Sequence, residues 1–191
     1  MRKNMLCGLA LAATGMMACG DDDADMMEPG GDDVEVISRV TTTFTPSMGA
    51  TVTAVFDDPD GDGGMAPTVD SVTLAANTTY ELTLRIENAL ENPIENITEE
   101  IEEEAGDHQV FFLGDAVTSN LLMVSYADTE ADYPPNTGTL PVGLRSTVVT
   151  SSTGMGTLKI VLAHQPMLKT ETSDQNVGDV DFDIDWAVTV Q

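Results

Sequence analysis

The sequence predicts an all-β fold, a two-layer antiparallel (Ig-like) sandwich with one short acidic helix or turn. Three observations point there: apolar and polar residues alternate in segment after segment, Thr and Val are enriched in those segments, and Gly, Pro, Asn and Asp fall between them. Eight or nine such segments in one domain-sized stretch of chain are what a sandwich requires.

Segments 36–44, 51–56 and 68–74 are the first candidate strands. The fourth is clearer, because in Tyr80-Glu81-Leu82-Thr83-Leu84-Arg85-Ile86 the even positions are apolar and the odd ones polar. Ile94, Ile97 and Ile101 then recur at spacings of three and four, a helical period, within 94–105. Glutamates suit the start of such a helix, but Glu102, Glu103 and Glu104 sit at the negative end of its dipole and repel one another, so only a short helix or turn is expected. Candidate strands at 109–113, 121–126 and 144–150 follow, and Gly154-Met155-Gly156 reads as a hairpin turn. Leu158, Ile160 and Leu162 mark the next strand. In the last, Val180, Phe182, Ile184, Trp186, Val188 and Val190 share one face, while Asp181, Asp183 and Asp185 line the other.

The chain begins differently. Arg2 and Lys3 precede an apolar run from Leu6 to Ala13, too short to span a bilayer, and the whole has the build of an export signal. Met16-Met17-Ala18-Cys19 resembles the lipobox of bacterial lipoproteins, which implies that Cys19 carries a lipid and that residues 1–18 are removed. Residues 19–33 contain Asp21-Asp22-Asp23-Ala24-Asp25 and little apolar area, and read as a lipidated, acidic, flexible tether. Residues 34–191 are expected to form one β-sandwich domain. The expected address is the outer membrane, lipid-anchored, on its periplasmic or cell-surface side.

Without Arg2 and Lys3, five basic residues remain against 33 acidic ones. Such a surface repels nucleic acid, since every phosphate contact needs a cation. Cations and basic partners are the ligands it suits. Cys7 leaves with the signal, so no internal disulfide is available to the mature domain.

Two motifs suggest ions. Asp58-Pro59-Asp60-Gly61-Asp62-Gly63 places carboxylates at every second position, as calcium loops do. Position twelve of an EF-hand would be Val69, so a Ca²⁺-bound strand connection held by Asp58, Asp60 and Asp62 is the form expected, against a solvated acidic turn. His108 and His164 are the only histidines, and each stands at the end of a predicted strand. Should those ends meet, two imidazoles with Glu104 or Asp107 would make a Zn²⁺ or Cu²⁺ site. Met123, Met155 and Met167 are soft ligands that would bias it toward Cu(I). The bland alternative is two unrelated histidines at the rim of a core.

Signatures of enzymes are absent from the sequence: there is no Gly-x-Ser-x-Gly elbow, phosphate-binding loop or zinc-protease helix. A non-enzymatic binding module is expected. It would hold a divalent metal and pass it to an outer-membrane receptor. A calcium-stabilised structural or adhesive sandwich contacting a protein or glycan is the competing class, and haem capture by paired histidines a third.

The ordered set Asp58-x-Asp60-Gly61-Asp62-Gly63-Gly64, Leu74-Ala-Ala-Asn-Thr-Thr-Tyr80, Ile97-Thr-Glu-Glu-Ile-Glu-Glu-Glu104, His108-Gln109-Val-Phe-Phe112 and Leu162-x-His164-x-Pro166 resembles a group of small lipoproteins of Bacteroidota and related bacteria. That group is sometimes labelled with the type 1 periplasmic binding fold. The label implies an α/β solute-binding fold, whereas the alternation here implies sheets alone. The resemblance brings no activity and no binding residues with it. Both histidines and the aspartate loop fall inside its segments.

Overall fold

Alternation along the strands becomes two sheets whose apolar faces meet. The computed structural model describes residues 36–191, apart from the side chain of Asp62; the predicted signal 1–18, Cys19 and the tether 19–33 lie outside the described residues. In chain order the elements are β1 (Arg39–Pro46), β2 (Val52–Asp57), β3 (Thr68–Val69), β4 (Val72–Leu74), β5 (Thr79–Glu87), helix α1 (Ile97–Glu103), β6 (His108–Leu113), a one-turn helix α2 (Asp115–Thr118), β7 (Leu122–Tyr126), β8 (Arg145–Thr150), β9 (Gly154–His164) and β10 (Asp179–Val190). One sheet has the order β3-β2-β1-β5-β8-β7, the other β4-β10-β9-β6. The fold is an all-β, two-layer sandwich. Its strand pairs are antiparallel except β4 with β10, which run parallel.

Between the sheets lie Phe44, Leu82, Ile86, Leu162 and Trp186, each fully buried. Burying side chains of this size stabilises the fold by about 1.5–3 kcal/mol each. Long pairings hold the sheets together: β1 against β5 runs from Arg39↔Glu87 to Pro46↔Tyr80, and β9 against β10 spans nearly the whole of both strands.

Three local expectations are corrected. Segment 68–74 is two strands in different sheets, because Asp70 ends the first by accepting the Val55 N–H at 3.0 Å and donating its own N–H to the Val55 carbonyl. Gly154 and Gly156 are strand residues of β9 and not a turn; a Cβ at Gly154 would meet Leu121 at 2.9 Å, and one at Gly156 would meet Ala116 of α2 at 3.1 Å. The two glycines let α2 and its neighbour lie flat on the strand. Val180 is 52% exposed and does not share the buried face of β10, for a reason that belongs to the site below.

The acidic helix is short, as its charge predicts. It begins after Asn96 and leaves Ile94 outside and exposed, while Ile97 and Ile101 are buried. Thr98 fixes its start to β5, its hydroxyl accepting the Ile86 N–H at 2.7 Å and donating to the Ile86 carbonyl at 3.1 Å. α1 therefore delivers Glu104 and the following turn to the first residue of β6.

Candidate metal centre

The β6–β9 ladder places His108 directly opposite His164. Side chains of paired residues project to the same face, here the inner face shared with the Val110↔Leu162 and Phe112↔Ile160 pairs. The two rings stack at the rim, with centroids 4.5 Å apart and planes 8° from parallel. His108 is buried, and His164 is half-buried.

Glu104 caps the end of α1 four residues before His108. Its carbonyl accepts from the His108 Nδ1–H at 3.3 Å, and its carboxylate Oε2 lies 4.0 Å from the same nitrogen. One ligand atom each from Glu104, His108 and His164 fall within 4.8 Å of one another. Asp107 is engaged elsewhere: its carboxylate accepts the Met167 N–H at 3.2 Å and its carbonyl the Gln165 N–H at 2.5 Å.

A fourth group comes from β10, and the sequence pattern hides it. The β9–β10 register passes from Val180↔Ala163 to Phe182↔Leu162, so Asp181 is an extra, unpaired residue in a β-bulge. A bulge re-aims the side chain it carries. Asp181, expected on the outer face with Asp183 and Asp185, instead brings Oδ2 to 3.9 Å from His108 Nε2. The same step turns Val180 outward. Gly178 makes the approach of β10 possible: it has a φ of +79°, and a Cβ there would lie 2.1 Å from the His164 carbonyl oxygen.

Burial dominates the electrostatics. It lowers the His108 pKa to about 4, so the ring is neutral at pH 7 and would need to lose no proton before taking a metal ion. Burial also pushes Asp181 up to about 6, partly offset by the nearby His164. Asp181 Oδ2 is buried and has no hydrogen-bond donor among the described residues. A carboxylate oxygen left so is costly unless a cation answers it.

The loop after β9 braces the rim. Gln165, fully buried, donates from Nε2 to the Asp174 and Val177 carbonyls at 3.0 and 2.9 Å. Lys169 buries its side chain to 1% exposure, donates to the Ala105 carbonyl at 2.6 Å and pairs with Glu130 at 3.0 Å. It thereby ties the turn that carries Glu104 and His108 to the rest of the domain. Composition held a clue to Lys169, since a chain with 7 basic residues has few to spare.

The three methionines do not join this cluster, and the aspartate loop is a separate predicted Ca²⁺ site. Met123 pairs with Val149 in the opposite sheet, and Met155 pairs with Thr189 at the far end of β9. Met167 lies near the site, in the turn after His164, but points to solvent at 97% exposure. In the aspartate loop, Gly61–Gly63 form a single 3₁₀ turn. Asp58 accepts the Asp60 N–H at 3.4 Å and Asp60 accepts the Met65 N–H at 3.1 Å, so each spends an oxygen on the loop's own backbone. The side chain of Asp62 lies outside the described residues.

Fold and rim together define a class: an all-β sandwich with one buried and one half-buried histidine stacked at one end, flanked by two carboxylates. No family model, curated protein or solved structure matches the chain.

Proposed function

We propose that this chain is a lipid-anchored, non-enzymatic binding module for a divalent transition-metal ion, held by His108 and His164 with carboxylate help. One observation carries the reading: the only two imidazoles, 56 residues apart in sequence, stack 4.5 Å apart on one face of the sheet. Neutral His108, the nearby Glu104 and the undonated Asp181 oxygen all favour a cation there. Imidazole with carboxylate suits Zn²⁺ and Cu²⁺ rather than Ca²⁺. The lipobox-like Met16-Met17-Ala18-Cys19 supports attachment at Cys19 to the outer membrane, from which the ion would pass to an uptake receptor.

Zinc and copper titrations of the full chain by calorimetry test this. One ion per chain is expected, with His108→Ala and His164→Ala each abolishing most of the affinity; binding indifferent to both changes would sink the proposal. For the anchor, Cys19→Ser should release the protein from the membrane fraction, and unchanged membrane association would remove that part.

A further inference from the structure

We infer that the ion sits on the Nε2 side of His108, with Asp181 as its carboxylate ligand, and that Glu104 contributes through its backbone carbonyl instead of its side chain. This rests on the metal-binding reading above and adds which nitrogen and which acid are used.

Distance to His108 does not choose between the acids, because Glu104 Oε2 is 4.0 Å from Nδ1 and Asp181 Oδ2 is 3.9 Å from Nε2, and it is Glu104 that has a ligand atom within 4.8 Å of both histidines as they stand. The hydrogen bond at Nδ1 does. It runs to the Glu104 carbonyl at 3.3 Å and keeps the proton on Nδ1, which leaves the Nε2 lone pair free. A metal-binding histidine is ordinarily oriented in this way, by a backbone or carboxylate acceptor on its other nitrogen. An ion on Nδ1 would have to break that bond.

Geometry on the other side fits an ion. At 3.9 Å the Nε2 and Oδ2 atoms are too far apart for a hydrogen bond. A zinc ion makes bonds of about 2.0–2.1 Å to nitrogen and about 2.0–2.2 Å to oxygen, so it spans such a gap with a small closing movement. His164, the more exposed ring, stacks against His108 and would supply the next ligand by turning toward the ion.

The two acids also differ in how firmly they are held. The Glu104 side chain is 57% exposed and would lose its rotamer freedom on binding. Asp181 is 21% exposed and is set in place by the bulge, with Oδ2 lacking any donor among the described residues. An ion would satisfy that oxygen; nothing about Glu104 needs one.

The test uses the full chain and zinc chloride. Asp181→Asn should weaken zinc binding by about tenfold or more, while Glu104→Gln changes it less than about threefold. Nitrogen-15 spectra of the zinc-loaded wild type should show His108 metal-bound at Nε2 with its proton on Nδ1. A metal-bound Nδ1, or a larger loss from Glu104→Gln than from Asp181→Asn, would overturn the inference while leaving histidine-dependent binding intact. Zinc binding that ignores both histidines would instead remove the underlying reading. If Asp181→Asn does not fold, the wild-type spectra decide alone.

Discussion

Two lysines on and just after β9 make ion pairs of opposite kinds. Lys159 lies on the outer face of its sheet, 33% exposed, and pairs with Asp183 and, at 3.5 Å, with Asp185. Lys169 is buried to 1% exposure against Glu130, itself 8% exposed, and also caps the Ala105 carbonyl. Exposed pairs gain little because water and salt screen them, whereas a buried charge that loses its partner pays the desolvation cost unaided. Only the second pair braces the turn that leads into the histidine rim.

The largest expected effect tests that contrast. Lys169→Met should destabilise the domain by about 3–5 kcal/mol, since it strands Glu130 in the interior. Urea unfolding of that variant beside Lys169→Met/Glu130→Leu measures it. The double change should recover much of the loss in stability while zinc affinity stays low, because the Ala105 carbonyl remains uncapped. Recovery of both together would mean that Lys169 does not position the site.

Asp181 sharpens the comparison from the other direction, as a half-buried acid with no Lys or Arg partner among the described residues. Its raised pKa means that the native state holds a proton the unfolded chain has already lost, so its contribution is full below about 3.8 and is lost as pH rises through about 6. In metal-free protein at pH 7.5, Asp181→Asn should therefore raise stability by roughly 1–3 kcal/mol, read as the shift in unfolding midpoint. Saturating zinc should reverse the ranking. A variant less stable than wild type without metal would show that Asp181 is structural.

His108 works with the opposite sign. Its pKa lies near 4, below the ordinary value of 6.5, so its contribution is present above about 6.5 and is lost as pH falls toward 4. Between pH 4 and 6 the two groups oppose each other, and wild-type stability should change little on their account. Asp181→Asn removes one side, and its stability should drop more steeply than that of wild type as pH falls from 6.5 to 4. Parallel profiles of the two proteins would count against the opposition.

The smallest effect belongs to the exposed pair. Lys159→Ala should cost about 0–1 kcal/mol, diminishing further in high salt, and leave zinc affinity unchanged.

The architecture was legible because alternation reports burial directly: residues 80–86 and 158–162 lie in strands of the expected parity, and the acidic helix is as short as its charged end implies. Where tertiary contacts override local pattern, reading failed. Nothing in 68–74 marks the crossing between sheets, since Asp70 ends the strand by bonding to Val55, far away in sequence. The histidines were legible as candidates because they are the only two, and their separation was not, because it depends on strand pairing. Asp181 was hidden for a sharper reason. Val180, Phe182 and Ile184 keep perfect period two in sequence, and a bulge leaves that count undisturbed while changing which face each residue meets.

That bulge acts as a change of reading frame within a single strand. Downstream of it the even residues build the core; upstream, Val180 faces out. The sheet thus carries a charged group at its inner rim without giving up any position of the packed interior. The rim carboxylate and the packed core are written on one strand in two frames, separable at a single position.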